Sequence, residues 1–310
     1  MKETRFVCDG QVDLIYAMQR AGAGNFSGWQ EGPVTPETLT SGKVDLLVNA
    51  LYCADIYNGA PTAAPYLERL MNFAEKRLDG LRRVGRGTEL PDAGSGETAT
   101  VFLLENGDSL IEADLDRLEA WDLRLVGLTH RGKNRLGDGS DVVNPGGLTD
   151  RGRNLLRELA ERRWAIDLAY LAEPGFREVV ATYPGPLLIS QTGLRPFCDQ
   201  PRNLTQDQLA ALAERGGLIG LSLAPKLLTG KHLADLEDVV EQLDWLAERI
   251  GPEFVALGSG YGDFHGVCLG LEDYSCWPRL AAALKGRGWA EVEVRGVLGE
   301  NWRRFYAALL

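Results

Sequence analysis

The sequence predicts an α/β protein, a (β/α)8 TIM barrel made by a single domain over residues 1–310. Eight short apolar segments recur along the chain, and amphipathic segments with helical spacing lie between most of them. Apolar strands that alternate with helices form a parallel sheet covered by those helices, and eight such units are typical of a barrel. A doubly wound open sheet is the alternative, but the chain carries no dinucleotide-binding fingerprint.

Taken in chain order, the predicted strands are short, apolar and rich in β-forming residues. They cover residues 6–8, 44–50, 100–104, 123–128, 164–168, 186–190, 217–223 and 254–258. Amphipathic stretches such as TDRGRNLLRELAERR and LADLEDVVEQLDWLAERI are predicted as helices, and Thr149, Thr205 and Asp235 are placed to cap three of them. The long segment 83–97 is predicted as an insertion in the same domain.

Composition and charge argue against some classes of partner. Apolar residues make up 45% and charged residues 25% of the chain, which is typical of a protein with a sizeable core. The net charge of −11 argues against a nucleic-acid partner, since such proteins carry clustered Lys and Arg. The sequence shows no membrane-length apolar run and no signal region, and its five cysteines are scattered. We therefore expect a cytoplasmic protein with reduced thiols and no membrane partner.

Polar residues collect just after the predicted strands, where the mouth of a barrel lies. In chain order they are Gln11, Asp13, Glu105, Thr129, His130, Tyr170, Gln191, Arg195, Ser259, Gly260, Asp263 and His265. The cavity that these residues would line is the predicted functional site. His265 beside Asp263 suggests an acid–base dyad, although a solvated histidine on a loop is the simpler interpretation.

Motifs along nearly the whole chain resemble, in order, those of one family. They are CDGQVDL at the first strand, LLENGDSL after the third, LRLVGLTHRGKN at the fourth, AIDLAYLA at the fifth, LLISQTGLRPFCDQPRNL at the sixth and VALGSGYGD at the eighth. The series is similar to that of the membrane (renal) dipeptidases, peptidase family M19, which are binuclear zinc dipeptidases. The resemblance implies an amidohydrolase-type barrel, of the metal-dependent hydrolase type, and a hydrolase acting on peptide bonds.

The chain departs from that family at the metal site. By resemblance, Gln11 stands at the first ligand histidine, Tyr170 and Gln191 at two later ones, and Gly260 at the strand-eight aspartate. Glutamine is a poor zinc donor, a tyrosine phenol titrates near 10, and glycine has no carboxyl group that could move a proton. A binuclear zinc centre is therefore not expected, and no resident cofactor is predicted.

Four positions keep the residue that the resemblance requires. Asp13 and Glu105 match metal-binding carboxylates, and we expect either a weak cation site or two ordinary hydrogen-bonded residues. The resemblance assigns substrate contacts to His130 and Arg195, and a guanidinium suits a ligand carboxylate.

The expected function is that of a dipeptidase-like pseudoenzyme, inactive as a zinc dipeptidase, whose cavity binds a small carboxylate such as an amino acid or dipeptide. One alternative is an active peptidase or amidohydrolase that uses a single non-standard metal or metal-free acid–base chemistry. A second alternative is a structural or partner-binding barrel. The resemblance also implies a homodimer.

Overall fold

Eight parallel strands lie side by side in the computed structural model, which describes residues 5–310. They are β1 (Cys8–Val12), β2 (Leu46–Tyr52), β3 (Ala99–Glu105), β4 (Leu125–Gly127), β5 (Ala165–Asp167), β6 (Leu187–Thr192), β7 (Leu218–Leu221) and β8 (Val255–Leu257). Each strand pairs with the next in chain order. The backbone N–H of Asp13 donates to the carbonyl oxygen of Tyr261 at 2.7 Å, which joins the two ends of the sheet. The predicted (β/α)8 TIM barrel is confirmed.

The first strand runs further than the sequence predicted. It covers Cys8–Val12 rather than residues 6–8, because two polar residues inside it break the apolar pattern. One of them, Asp9, is fully buried and accepts hydrogen bonds from the backbone N–H and hydroxyl of Ser259, at 2.7 and 2.5 Å, and from the Tyr274 hydroxyl at 2.8 Å. These bonds compensate for the burial of a carboxyl group in a barrel strand.

Helices follow most of the strands, as predicted. Within residues 5–310 the α-helices are α1 (Leu14–Arg20), α2 (Pro36–Gly42), α3 (Ala63–Arg77), α4 (Leu115–Ala120), α5 (Asp150–Glu161), α6 (Glu173–Thr182), α7 (Gln206–Glu214), α8 (Pro225–Leu228), α9 (Leu236–Ile250), α10 (Trp277–Gly286), α11 (Glu291–Arg295) and α12 (Asn301–Leu309). The predicted caps at Thr149, Thr205 and Asp235 are confirmed, since each side chain accepts a hydrogen bond from a backbone N–H in the first turn of its helix. None of the helices in this part of the chain is long and apolar enough to cross a bilayer.

Within residues 5–310, three further short strands lie outside the barrel path. Arg82–Arg83, at the start of the segment predicted as an insertion, pairs with the beginning of β3. Leu233–Asp235 and Val267–Leu269 pair with each other in parallel. They leave the eight-stranded order of the barrel unchanged.

The amino-terminal end of the barrel is filled by the last helix. Trp302 and Tyr306 of α12 are fully buried there, among apolar residues from the beginnings of the strands. The indole nitrogen of Trp302 donates to the carbonyl oxygen of Leu257 at 2.7 Å. A Cβ atom on Gly10 would lie 2.2 Å from the Trp302 ring, so the close approach requires glycine. The other end of the barrel is therefore the one that offers a mouth.

Candidate functional site

The end of β1 places two predicted site residues in direct contact. Gln11 and Asp13 are both buried, and Nε2 of Gln11 donates to Oδ2 of Asp13 at 3.0 Å. In this orientation of the amide group, the other terminal atom of Gln11, Oε1, is an acceptor. Oε1 is buried and finds no hydrogen-bond partner among residues 5–310.

Two carboxyl groups share this end of the barrel. Burial raises the pKa of Asp13 to about 8, and the nearby charge of Asp263 adds to the effect. Burial, followed by repulsion from Asp13, raises the pKa of Glu105 well above its ordinary value. Glu105 is the last residue of β3, and its Oε1 is a second buried acceptor without a partner in the described chain. Two ionised carboxylates are unfavourable here unless a cation or a hydrogen-bond donor joins them.

An arginine that the sequence interpretation did not single out lies beside Tyr170. Arg202, only 4% exposed, has its Cζ atom 3.9 Å from the centre of the Tyr170 ring. Its Nη2 donates to the carbonyl oxygen of Gln191 at 2.8 Å, whereas Nε and Nη1 are buried without a partner in residues 5–310. The charge of Arg202 lowers the pKa of Glu105, against the stronger effects of burial and of the neighbouring carboxylates.

His130 and Arg195, the predicted substrate-binding residues, have different surroundings. The His130 ring lies between Tyr52 and Tyr170, with ring centres 4.8 and 4.4 Å away, at the mouth. Its Nδ1 is 3.4 Å from Oδ2 of Asp55, a distance too long for a good hydrogen bond. Arg195 is half-buried, and its Nε donates to the carbonyl oxygen of Asn203 at 3.1 Å. A substrate contact by Arg195 stays a prediction, and Arg202 is the arginine that the described contacts bring against Tyr170 and Gln191.

Gly260 and Gln191 meet at the far side of the mouth. Gly260 has φ of +73°, a backbone conformation that favours glycine. A Cβ atom at this position would lie 2.8 Å from Oε1 of Gln191. The glutamine side chain therefore occupies the space into which a residue-260 side chain would extend.

The residues present do not fit a binuclear zinc centre. No three His, Cys, Asp or Glu side chains come together as a metal-binding group within residues 5–310. The amide of Gln11 already donates to Asp13, Tyr170 offers a phenol whose pKa is raised by burial and by Glu105, and Arg202 adds a positive charge beside them. A cation that prefers imidazole and thiolate donors finds neither in this set.

Two buried aspartates that the sequence interpretation did not identify brace the strand ends. Asp9 joins β1 to Ser259, as described above, and Asp167 at the end of β5 accepts from the hydroxyl and backbone N–H of Ser190, at 2.5 and 2.9 Å. Asp167 bonds to the neighbouring strand β6, whereas Asp9 bonds to Ser259, just after β8, and to Tyr274. The sequence signal that could have identified them is a polar residue within an apolar strand. Asp263 and His265 are exposed, and no contact between them supports the suggested dyad.

The fold and the position of its polar residues place the protein in the class of TIM-barrel proteins whose site lies at the carboxyl ends of the strands. The family model described as "Membrane dipeptidase (Peptidase family M19)" matches residues 1–308, so the chain belongs to the membrane dipeptidase family. The resemblance stated from the motifs is confirmed.

Relatives and solved structures agree with this assignment. Dipeptidase 3 from Homo sapiens is 32% identical over 164 residues, which cover 53% of this chain and 34% of the relative, so the match spans about a third of that protein. A Klebsiella pneumoniae protein described as "Uncharacterized protein in pqqA 5'region" is 31% identical over 203 residues, 62% of this chain and 74% of the relative.

Two crystal structures share the fold over almost the whole chain. The dipeptidase AC, described as a metallo peptidase of family M19, has a TM-score of 0.89 with 24% identity, covering 99% of both chains. A metallo peptidase from Rhodobacter sphaeroides, liganded with a phosphinate mimic of the dipeptide L-Ala-D-Ala, has a TM-score of 0.86 with 22% identity and covers 99% of this chain and 100% of its own.

Proposed function

We propose that this member of the membrane dipeptidase family binds a small carboxylate ligand, such as an amino acid or a dipeptide, and does not hydrolyse peptide bonds by binuclear zinc chemistry. The observation that carries the proposal is the guanidinium of Arg202. It is buried, and two of its three nitrogen atoms lack a partner in the described chain. A buried cation whose N–H groups are unpaired is costly, and a carboxylate is the group that satisfies it best.

The surroundings of Arg202 supply the rest of a recognition site. The face of Tyr170 supports the guanidinium, and the ring of His130 packs against Tyr170 at 4.4 Å between centres. Aromatic walls with one buried charge are typical of pockets for small polar ligands. The names of the relatives, among them Dipeptidase 3 and a structure with a mimic of L-Ala-D-Ala, make amino acids and dipeptides the first ligands to test.

The loss of hydrolysis is proposed from the donor set. Peptide hydrolysis by this family's chemistry needs a metal-activated water and a group that transfers a proton. Gln11, Tyr170 and Gln191 provide amide and phenol groups at the ligand positions, and Gly260 provides no side chain at all. The first three changes remove metal ligands, and the change at residue 260 removes the group that would transfer a proton.

Calorimetric titration with a panel of amino acids and dipeptides tests the proposal. We expect at least one ligand to bind the wild-type protein and Arg202→Ala to weaken its binding about 10- to 150-fold, the equivalent of about 1.5–3 kcal/mol for a charged hydrogen bond. Arg177→Ala is the matched control, since Arg177 is an exposed arginine paired with Glu173 on α6. Equal binding by Arg202→Ala would contradict the proposal. No binding of any ligand at millimolar concentration would favour the structural or partner-binding barrel.

A further inference from the structure

A cavity of about 130 Å³ lies at the amino-terminal end of the barrel, opposite the mouth. Residues 308–310, at the end of α12, form one wall, and the other lining residues are Arg86, Arg124, Arg162 and Arg163. The whole chain has a net charge of −11, so four arginines around one cavity reverse the sign of the charge locally. Such a cavity attracts an anion.

The four arginines come from three separate parts of the chain. Arg124 directly precedes β4, and Arg162 and Arg163 lie in the turn between α5 and β5. These side chains therefore stand where the strands of the barrel begin. Arg86 belongs to the segment 83–97, which was predicted as an insertion. The fold thus brings together cationic side chains that are not neighbours in the sequence.

Arg124 is the buried member of this group. It is 9% exposed, and its Nε is buried without a hydrogen-bond partner in residues 5–310. In the same part of the chain its one ion pair joins Nη1 to Oε1 of Glu119 at 2.9 Å. Glu119 also lies 3.6 Å from Nη1 of Arg162, whose other carboxylate partners, Asp116 and Glu158, are exposed. One half-buried carboxylate thus serves two guanidinium groups, which leaves positive charge uncompensated in the cavity.

Arg86 and Arg163 line the cavity without a partner. Within residues 5–310 neither side chain forms an ion pair or a hydrogen bond. Arg163 also has φ of +59°, the left-handed conformation that glycine usually takes just after a helix. The end of α5 would therefore be served better by glycine, whereas an anion site requires the guanidinium.

We infer that this cavity binds a phosphate group, carried either by inorganic phosphate or by a small phosphomonoester. Guanidinium groups present paired N–H donors that match phosphate oxygens. A phosphate carries about −1.5 to −2 charges near pH 7, which suits several unpaired arginines better than the single charge of a carboxylate. Arg86 and Arg163 are exposed, so the cavity opens to solvent and leaves room for an ester group outside. The site is separate from the mouth and does not depend on the ligand proposed there.

Calorimetric titration with inorganic phosphate, at constant ionic strength with chloride as the other anion, tests the inference. We expect Arg163→Gly to weaken phosphate binding about 5- to 10-fold. The thermal unfolding midpoint of this variant should stay equal or rise, because glycine suits the φ of residue 163. Arg124→Lys should weaken binding about 10-fold, since an ammonium lacks the planar fork. Arg177→Gln is the matched control, because it removes one positive charge from an exposed ion pair on α6.

A second titration, with glycerol phosphate, distinguishes the two sources of the phosphate group. Tighter binding than that of inorganic phosphate assigns the cavity to a phosphomonoester, and equal or weaker binding assigns it to the free ion. Wild-type affinity in both Arg163→Gly and Arg124→Lys would overturn the inference, as would an equal loss in Arg177→Gln. A loss in Arg202→Ala without one in Arg163→Gly would place the phosphate at the mouth and also overturn it. If neither probe binds at millimolar concentration, the arginines serve only the ends of helices and loops.

Discussion

Oε1 of Gln191 lies 2.8 Å from the point that a Cβ atom on residue 260 would occupy. The motif resemblance predicts that both positions depart from the family pattern, and in the structure the two positions are sterically linked. A side chain at residue 260 must displace the glutamine amide, and it must also tolerate a φ of +73°. A substitution that restores an aspartate at residue 260 alone would therefore collide with the side chain of Gln191.

Gly260→Asp is expected to destabilise the protein by about 1–3 kcal/mol in urea denaturation, because strain at positive φ adds to the contact with Gln191. Adding Gln191→Ala should recover the part of the loss that is due to the contact. Gly216→Asp is the matched control, since Gly216 has φ of +70° but a Cβ atom there would meet nothing within 4 Å. If Gln191→Ala gives no recovery, the steric link is wrong.

Arg202 and Arg195 should differ strongly in their effect on ligand affinity. Arg202 is buried beside Tyr170, and Arg202→Lys should already weaken a carboxylate ligand, because an ammonium cannot reproduce the planar guanidinium. Arg195→Ala should change affinity less than about 3-fold, since the described contact of Arg195 is with the backbone of Asn203. Calorimetric titration of both variants measures the two affinities. A larger loss of ligand affinity in Arg195→Ala than in Arg202→Lys would support the predicted substrate contact by Arg195.

Hydrolysis of L-L and L-D dipeptides should be absent or near background when zinc, cobalt or manganese is added. The reason is the missing metal-bound water together with the missing carboxyl group at residue 260. Release of free amino acids by the wild-type protein, measured against Glu105→Ala, is the test. Turnover that Glu105→Ala abolishes would support the active-hydrolase alternative.

The stability contributed by Asp9 should fall as the pH rises. Burial raises the pKa of Asp9 to about 6, although hydrogen bonds from Ser259 and Tyr274 oppose the shift. A pKa raised in the folded state gives stability that is present below the unfolded value near 4 and is lost as the pH passes 6. Between pH 5 and pH 8 the wild type should therefore lose about 1–2 kcal/mol more than Asp9→Asn does in urea denaturation.

Asp79→Asn serves as the control for that measurement. Asp79 is exposed and its pKa is lowered by hydrogen bonds from Ser27, so it stays ionised throughout this pH range. The stability difference between Asp79→Asn and the wild type should not change between pH 5 and pH 8. If the difference for Asp9→Asn is equally constant, the buried carboxyl group is not the source of the pH dependence.

The sequence predicted the barrel because its apolar strands stand out from the amphipathic helices between them. All eight predicted segments overlap barrel strands, and the largest displacement is at β1, where the buried Asp9 and Gln11 resemble loop residues until their partners are known. The partners of Asp9, which are Ser259 and Tyr274, lie 250 and 265 residues away along the chain, and a strand pattern carries no information on them.

The mouth was predicted less completely for a related reason. Gln11 and Glu105 lie at the ends of β1 and β3, and Asp13 and Tyr170 lie within three residues of a strand end, so barrel geometry brings all four to the mouth. Arg202 lies ten residues after the end of β6, beyond a turn that returns the chain to the mouth, and Arg195 stands nearer to the strand. Distance from a strand along the sequence therefore does not indicate which of the two guanidinium groups is buried.

The metal content of the purified protein tests the central claim most directly. Protein prepared without chelators and analysed by inductively coupled plasma mass spectrometry should contain well under one zinc ion per chain, because its donors are amides, a carboxyl pair and a phenol whose ring packs against Arg202. The combined variant Gln11→His, Tyr170→His, Gln191→His and Gly260→Asp, prepared in parallel, should gain zinc and so show that the preparation can load the site. Two zinc ions per wild-type chain, located beside Asp13 and Glu105 by anomalous scattering, would contradict the account.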